Sequence, residues 1–139
     1  MREPFLERID KRALVCDGAM GTMLYSRGIS ANRCYDELNV TMPQLVKEVH
    51  LAYIKAGAEV IETNTFGANR FRLQKFDLSA KVREFNLAGA RLAREVAGED
   101  LYVAGSVGPL GIRLEPLGPT SLQEARAAFR EQVAALVEG

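Results

Sequence analysis

The residues best placed to handle a ligand stand where short apolar runs end. Ala13 to Cys16 is apolar and strand-like, and it runs straight into Asp17-Gly18-Ala19-Met20-Gly21-Thr22, a turn with two glycines and one carboxylate. A strand that ends in an acid beside flexible backbone delivers polar groups to a fixed point at the edge of a sheet. Asp17 offers a contact either to a ligand amine or to the backbone N–H groups of its own loop. The backbone from Gly18 to Thr22 can hold a carboxylate through exposed amides. The competing reading is an ordinary turn with a solvated aspartate. Neither GxGxxG nor GxxxxGK[ST] is present, so this is not a phosphate loop.

A second polar exit follows Glu59-Val60-Ile61-Glu62. Thr63, Asn64 and Thr65 supply neutral donors and acceptors suited to a small polar ligand, although threonine is common in strands and asparagine in turns. Glu62 is either a buried acid or a paired one near the rim. His50, the one histidine, falls mid-helix beside Val49 and Leu51 and reads as a packed structural residue. Cys16, within a strand, reads as a small buried hydrophobe. Cys34 lies in a loop, with nothing near it to lower a thiol pKa. With one histidine and two distant cysteines, no zinc site can be assembled within this chain, and no nucleophile–base pair is visible.

The elements that position these exits follow from the hydrophobic period. Residues 4–11 form a short amphipathic helix with Phe5, Leu6 and Ile9 on one side, fit to plug the end of a barrel or sheet. The first strand is 13–17, with a helical turn from Met20 to Arg27 stopped by Gly28. A loop then extends to Val40. Thr41, three residues before Gln44 and followed by Pro43, is predicted to open a helix carrying Leu45, Val49, Ala52, Tyr53 and Ala56, ended by Gly57. After the second strand, 59–63, a helical segment runs near Arg70 to Phe76. Ser79 is predicted to cap a helix over 80–97 that buries Val82, Phe85, Leu92, Ala93 and Val96. The third strand, 101–107, leaves through Gly108-Pro109-Leu110-Gly111 into an irregular loop ending at Pro119. Ser121, with Glu124 three residues on, caps a last helix whose apolar face is Leu122, Ala125, Phe129, Val133, Leu136 and Val137. Strands joined through helices run parallel with right-handed crossovers.

The 139 residues suffice for one domain with a core. Eighteen basic and eighteen acidic residues cancel, and no basic stripe is present, so neither nucleic acid nor a membrane is an expected partner. No apolar run approaches the roughly 20 residues of a membrane span. The charged segment Met1 to Lys11 has no signal-peptide core, and two cysteines without CxxC spacing suit a reducing compartment. A cytoplasmic protein is expected. Three parallel strands would leave a bare edge, and the chain stops where a fourth strand should begin. The expected fold is therefore α/β with parallel β/α repeats, either a fragment of a larger barrel, which is the favoured reading, or an unusually small α/β domain.

Read together, Asp17-Gly-Ala-Met-Gly-Thr22, Tyr35-Asp-Glu-Leu-Asn39, Ala56-Gly-Ala-Glu-Val-Ile61, Thr63-Asn-Thr-Phe-Gly-Ala-Asn69 and Gly105-Ser-Val-Gly-Pro109 resemble the homocysteine S-methyltransferase family, in order and over essentially the whole chain. The resemblance makes residues 1–139 a partial homocysteine-binding domain. It implies a (β/α)8 TIM-type barrel, of which these residues would be the N-terminal half ending before the fourth strand, that binds homocysteine at the carboxyl ends of its strands and transfers a methyl group to it, making methionine. A zinc ion held by three cysteines would bind the sulfur, because a thiol with a pKa near 8.5 is mostly protonated at neutral pH.

Carried onto this chain, Asp17, Gly18, Ala19, Met20, Gly21 and Thr22 would line the amino-acid end of homocysteine. Thr63, Asn64 and Thr65 would form the second wall, with Gly108 and Pro109 shaping the third. The family's zinc cysteines, including a Cys-Cys pair, and an acid after the fourth strand have no counterpart here, so zinc ligands are expected beyond residue 139. Cys16 and Cys34 do not match them. The resemblance is strongest to the branch that draws its methyl group from methyltetrahydrofolate through cobalamin, both bound by other domains. S-methylmethionine, or a bifunctional chain with a folate-reductase module, is the alternative. Taken alone, the 139 residues are expected to perform no methyl transfer and to bind homocysteine weakly or not at all. The rival class is a non-catalytic half-barrel that pairs with a second copy or with the remaining half.

Overall fold

The computed structural model describes residues 2–139. Its elements are α1 (Phe5–Lys11), α2 (Gly21–Ser26), α3 (Leu38–Thr41), α4 (Pro43–Lys55), β1 (Val60–Glu62), α5 (Arg70–Gln74), a 3-10 turn (Ser79–Lys81), α6 (Val82–Ala97), β2 (Tyr102–Ala104) and α7 (Leu122–Glu138). Strands β1 and β2 pair in parallel, Ile61 opposite Val103, so the architecture is α/β with helices between parallel strands.

The expected first strand contracts to one bridge, Cys16 to Val60. Val15 accepts from both Glu59 and Val60, and the Asp17 amide donates to the Val60 carbonyl at 2.9 Å. Among the described residues nothing pairs with the other edge of this segment, and Val15 and Cys16 are exposed. The expectation that Cys16 is a buried hydrophobe is thereby corrected: successive strand side chains point to opposite faces, and neither face is covered at Val15 and Cys16.

Helix α4 sits against the strands, its Val46 and Val49 fully buried with Leu24, Leu38 and Leu92. Ile61 packs with Ala58, Ala93 and Ala97 under α6. Each large side chain so buried contributes roughly 1.5–3 kcal/mol. Thr41 does not cap α4. Its hydroxyl donates back to the Glu37 carbonyl at 3.2 Å, closing the short α3, and Met42 takes the cap position without a side-chain bond. Threonine hydroxyls favour such local carbonyls. The loop predicted over 29–40 therefore ends in a helical turn. Ser79 likewise begins the 3-10 turn and caps nothing. The Ser121–Glu124 capping box is present in full, and Asn69 caps α5 through the Arg72 amide. Gly57 and Gly98, both with positive φ, end α4 and α6 as expected. The Pro119 loop is tied by a bridge from Leu114 to Thr120.

Helix α7 departs most from expectation. Its buried residues are Ala125, Ala128, Gln132 and Ala135, whereas Leu122 is 55% and Val137 82% exposed, with Phe129 and Val133 also open to solvent. The small side chains let α7 lie close to α6, so the large apolar ones point away. Helix α1 packs at the other end of the strands: Phe5 meets Tyr102 edge-on at 5.3 Å, and the Tyr102 hydroxyl donates to the Glu3 carbonyl. The Arg12–Glu59 pair closes this end, and the Arg12 guanidinium holds the Glu59 carboxyl down to about 2. Among the described residues, no helix is long and apolar enough to cross a membrane.

Candidate functional site

A cavity of about 570 Å3 opens at the carboxyl ends of the strands. Its first wall is the segment Asp17 to Gly21, reached because the Cys16 bridge delivers Asp17 beside β1. The Asp17 Oδ2 accepts the Glu62 amide at 3.0 Å, while Oδ1 is buried with no partner. Asp17 therefore bonds to the neighbouring strand's exit and not to its own loop, leaving one carboxylate oxygen free. Burial pushes the Asp17 carboxyl above its usual range, and the Glu62 charge adds to that push. The Gly18, Ala19 and Met20 amides donate to nothing in the protein among the described residues. One orphan acceptor beside three free donors suits a zwitterion.

The turn's position depends on α4. The Tyr53 hydroxyl donates to the Ala19 carbonyl at 2.7 Å, and a Cβ on Gly18 would lie 3.1 Å from that hydroxyl. Tyr53→Phe is expected to cost about 1 kcal/mol, the worth of a typical hydrogen bond. Hydrogen exchange checks this: the Gly18–Met20 amides should exchange faster while the α6 amides are unchanged.

The second wall is Thr63, Asn64 and Thr65, all buried. The Thr65 hydroxyl donates to the Ser106 carbonyl at 2.8 Å. Its single proton is thus used, and Thr63 must be the donor in the 2.6 Å contact between the two hydroxyls. Thr63 in turn accepts the Ser106 amide. The Asn64 side-chain amide donates to the Tyr35 carbonyl and to Asn39 Oδ1. The side-chain donors of all three residues are therefore spent inside the protein, where they lock the two strand exits together. Glu62 is exposed on the same wall.

Behind this wall lie three buried amide side chains that the sequence did not mark. Asn39 donates to the Asn64 and Phe85 carbonyls, Asn86 to those of Ala68 and Val82, and Gln132 to the Thr65 carbonyl and Asn86 Oδ1. Their signal was a polar residue on an otherwise apolar helical face.

Thr22 lies in the first turn of α2 and Gly108 behind Phe66, both outside the cavity lining. Gly108 donates to the Phe66 carbonyl at 3.1 Å. A Cβ there would stand 2.5 Å from that oxygen, so only glycine allows this approach.

The loop over 29–37 supplies the opposite side through Arg33, Cys34, Tyr35 and Asp36, joined by Phe66, Arg72 and Lys75. Asp36 accepts the Gly67 amide at 3.1 Å, and burial pushes its carboxyl up to about 6. Burial also raises the Cys34 thiol to about 11, so it stays protonated at neutral pH. His50 is fully buried in α4 with neither ring nitrogen bonded, and desolvation lowers it to about 4. The donor set does not fit zinc. Cys16 is exposed, Cys34 is buried and protonated, His50 is enclosed in the core, and no group of three potential ligands converges among the described residues.

The family model for homocysteine S-methyltransferase matches residues 14–139; the chain belongs to this family. It is 37% identical over 96% of its length to methionine synthase from Mycobacterium leprae and 35% identical over 96% to that from Mycobacterium tuberculosis, covering 12% of each. The chain thus spans about an eighth of the length of these curated relatives. Among solved structures it resembles the homocysteine methyltransferase MmuM from Escherichia coli. The metallated form superposes with a TM-score of 0.79 at 30% identity, over 98% of this chain and 54% of that one. The oxidised form gives 0.80, also at 30% identity, over 99% and 53%.

Proposed function

We propose that the chain is the homocysteine-binding part of a zinc-dependent homocysteine S-methyltransferase of the methionine synthase type. The observation that carries this reading is the pairing, at one cavity wall, of an unpartnered Asp17 oxygen with the free amides of Gly18, Ala19 and Met20. A ligand ammonium beside Asp17 relieves the desolvation that raises its carboxyl, and the amides take the ligand carboxylate. Thr63, Asn64 and Thr65 hold the second exit rigid, which fixes where the sulfur of a so-anchored amino acid points. Activation of the sulfur is assigned to residues outside 1–139, because this chain's thiols and imidazole do not fit a metal.

The kinship to methionine synthases supports methyltetrahydrofolate, acting through cobalamin on other domains, as the methyl source. S-methylmethionine or a folate-reductase fusion is the alternative. A non-catalytic half-barrel that pairs with a copy or partner is the second reading, favoured by the exposed apolar stripe of α7 and by the edge of β2 that pairs with no strand among the described residues.

Titrating the 15N-labelled chain with homocysteine tests the first reading. Weak, saturable shifts are expected at the Gly18–Gly21 amides, unaffected by zinc. Asp17→Asn should weaken them at least tenfold, because the variant no longer offers the ammonium a negative charge. Unmoved Gly18–Gly21 amides, or equal binding by the variant, would overturn it.

A further inference from the structure

The cavity has two electrically different ends. Asp17 and Glu62 stand together at the strand exits. The same lining includes Arg72 and Lys75, one helical turn apart where α5 ends, and Arg33 from the loop before α3. None of these three cations is in an ion pair among the described residues. Arg33 has only long contacts, 3.5 Å to the Thr41 hydroxyl and 3.8 Å to the Met42 sulfur. Of the acids lining the cavity, Asp36 lies beside Arg72. It attracts Arg72, but its oxygens already take the Gly67 amide and face the Cys34 thiol. The lining thus carries three cations and three carboxylates, Asp17 and Glu62 standing together at the strand exits and Asp36 beside Arg72.

Two aromatic rings complete this end. Phe66 is 55% exposed and Phe76 is also open, and the Arg72 guanidinium lies 5.7 Å from the Phe66 ring centroid. Stacking on the ring restrains a planar fork of donors that matches carboxylate and phosphate oxygens. The volume also exceeds the need of one small amino acid, since cavities of roughly 300–1,000 Å3 take drug-sized ligands.

We propose that the outer end of this cavity, formed by Arg33, Arg72 and Lys75 beside Phe66 and Phe76, is a second subsite that seats an oxyanion, carboxylate or phosphate, of the second reactant. The identity of that reactant as a methyl carrier rests on the methyltransferase reading; the charge arrangement does not. An amino acid anchored at Asp17 and a second molecule anchored at Arg72 and Lys75 would meet across the shared cavity, each held by its charged part with its uncharged part inward.

Amide shifts of the 15N-labelled chain, followed at constant ionic strength with sodium chloride as the blank, provide the test. Inorganic pyrophosphate and glutarate are the two probes. Saturable shifts at Gly67, Arg72, Lys75 and Arg33 with either probe are the expected result; pyrophosphate alone would identify a phosphate-bearing reactant and glutarate alone a carboxylate. The double variant Arg72→Ala/Lys75→Ala, and Lys75→Glu as a separate exposed change, should each weaken binding at least tenfold. Arg126→Ala/Arg130→Ala, on the exposed side of α7, should not. Shifts spread over all basic residues, no shift with either probe, or unchanged binding by both cavity variants would overturn the proposal. Homocysteine serves as an independent arm: its failure at Gly18–Gly21 with pyrophosphate or glutarate still bound would sink the first-ligand reading and leave this subsite standing.

Discussion

Replacing Gly89 with alanine lowers the stability of the chain by about 2 kcal/mol, although alanine is the better helix former by about 1 kcal/mol. Gly89 sits inside α6, where a Cβ would lie 2.7 Å from the Thr65 methyl and 2.8 Å from the Asn39 side-chain nitrogen. Both neighbours are buried and fixed, Thr65 by the Ser106 carbonyl and Asn39 by the Asn64 and Phe85 carbonyls. Overpacking of this kind costs typically 1–3 kcal/mol, and an Asn39 driven off its acceptors forfeits roughly 1 kcal/mol per hydrogen bond. Those losses exceed the propensity gain. In urea the midpoint should fall by about 1 M, given slopes of roughly 1–3 kcal/mol/M for small proteins. A midpoint that rises would show that α6 can move away at no cost, and that the network behind the second wall is slack.

Asp36 and His50 should tilt stability against pH in opposite directions. The folded Asp36 carboxyl titrates near 6 against an ordinary 3.8. Between those values the folded chain holds the proton more tightly than the unfolded one, so this contribution is full at acid pH and is lost as pH rises toward 6. His50 titrates near 4 in the fold against an ordinary 6.5. There the unfolded chain takes the proton first, so the contribution is full above 6.5 and is lost as pH falls toward 4. At about 1.4 kcal/mol per unit, each effect is on the order of 2–3 kcal/mol. In the native chain they largely offset one another.

Asp36→Asn removes one tilt and keeps an acceptor for the Gly67 amide. Its stability should gain on the native chain by about 2 kcal/mol as pH is raised from 4 to 7. His50→Leu removes the other, and its advantage should shrink by a similar amount over the same rise. Urea titrations at half-unit intervals of pH decide the matter. Difference curves that run parallel, or that tilt the same way, would refute the burial assigned to these groups.

The polar strand exits were legible because they depend on local chemistry: an apolar run, then an acid or small polar residues, then glycine. The capping box at Ser121 and the stops at Gly57 and Gly98 belong to the same local class, and the structure keeps them. What depends on neighbours distant in sequence was not legible. Thr41 carries a capping signature, but the Glu37 carbonyl reaches its hydroxyl first. The loop holding Arg33 and Asp36 has no period to reveal it, and it becomes a wall only because the Gly67 amide meets Asp36 across the fold. Cys16, expected to be buried in its strand, is exposed, while the loop cysteine Cys34 is buried. Strand burial requires cover on both faces, whereas a loop can be folded over. The face that α7 buries was read only in part: Ala125 is buried as expected, with Ala128, against Leu110, Phe71 and Ile112, whereas Phe129 and Val133 stay open to solvent.

That choice of face has a consequence for how the molecule behaves in a crowded solution. Exposed contiguous apolar surface rimmed by polar residues drives association, and Leu122, Phe129, Val133 and Val137 lie along one side of one helix. Gln132, about 100° around the helix from Val133, points into the fold and holds the Thr65 carbonyl. Colloidal behaviour and site geometry are therefore written on different sides of the same helix. Charged residues introduced along the outer stripe can tune solubility while the hydrogen bonds that frame the cavity stay untouched.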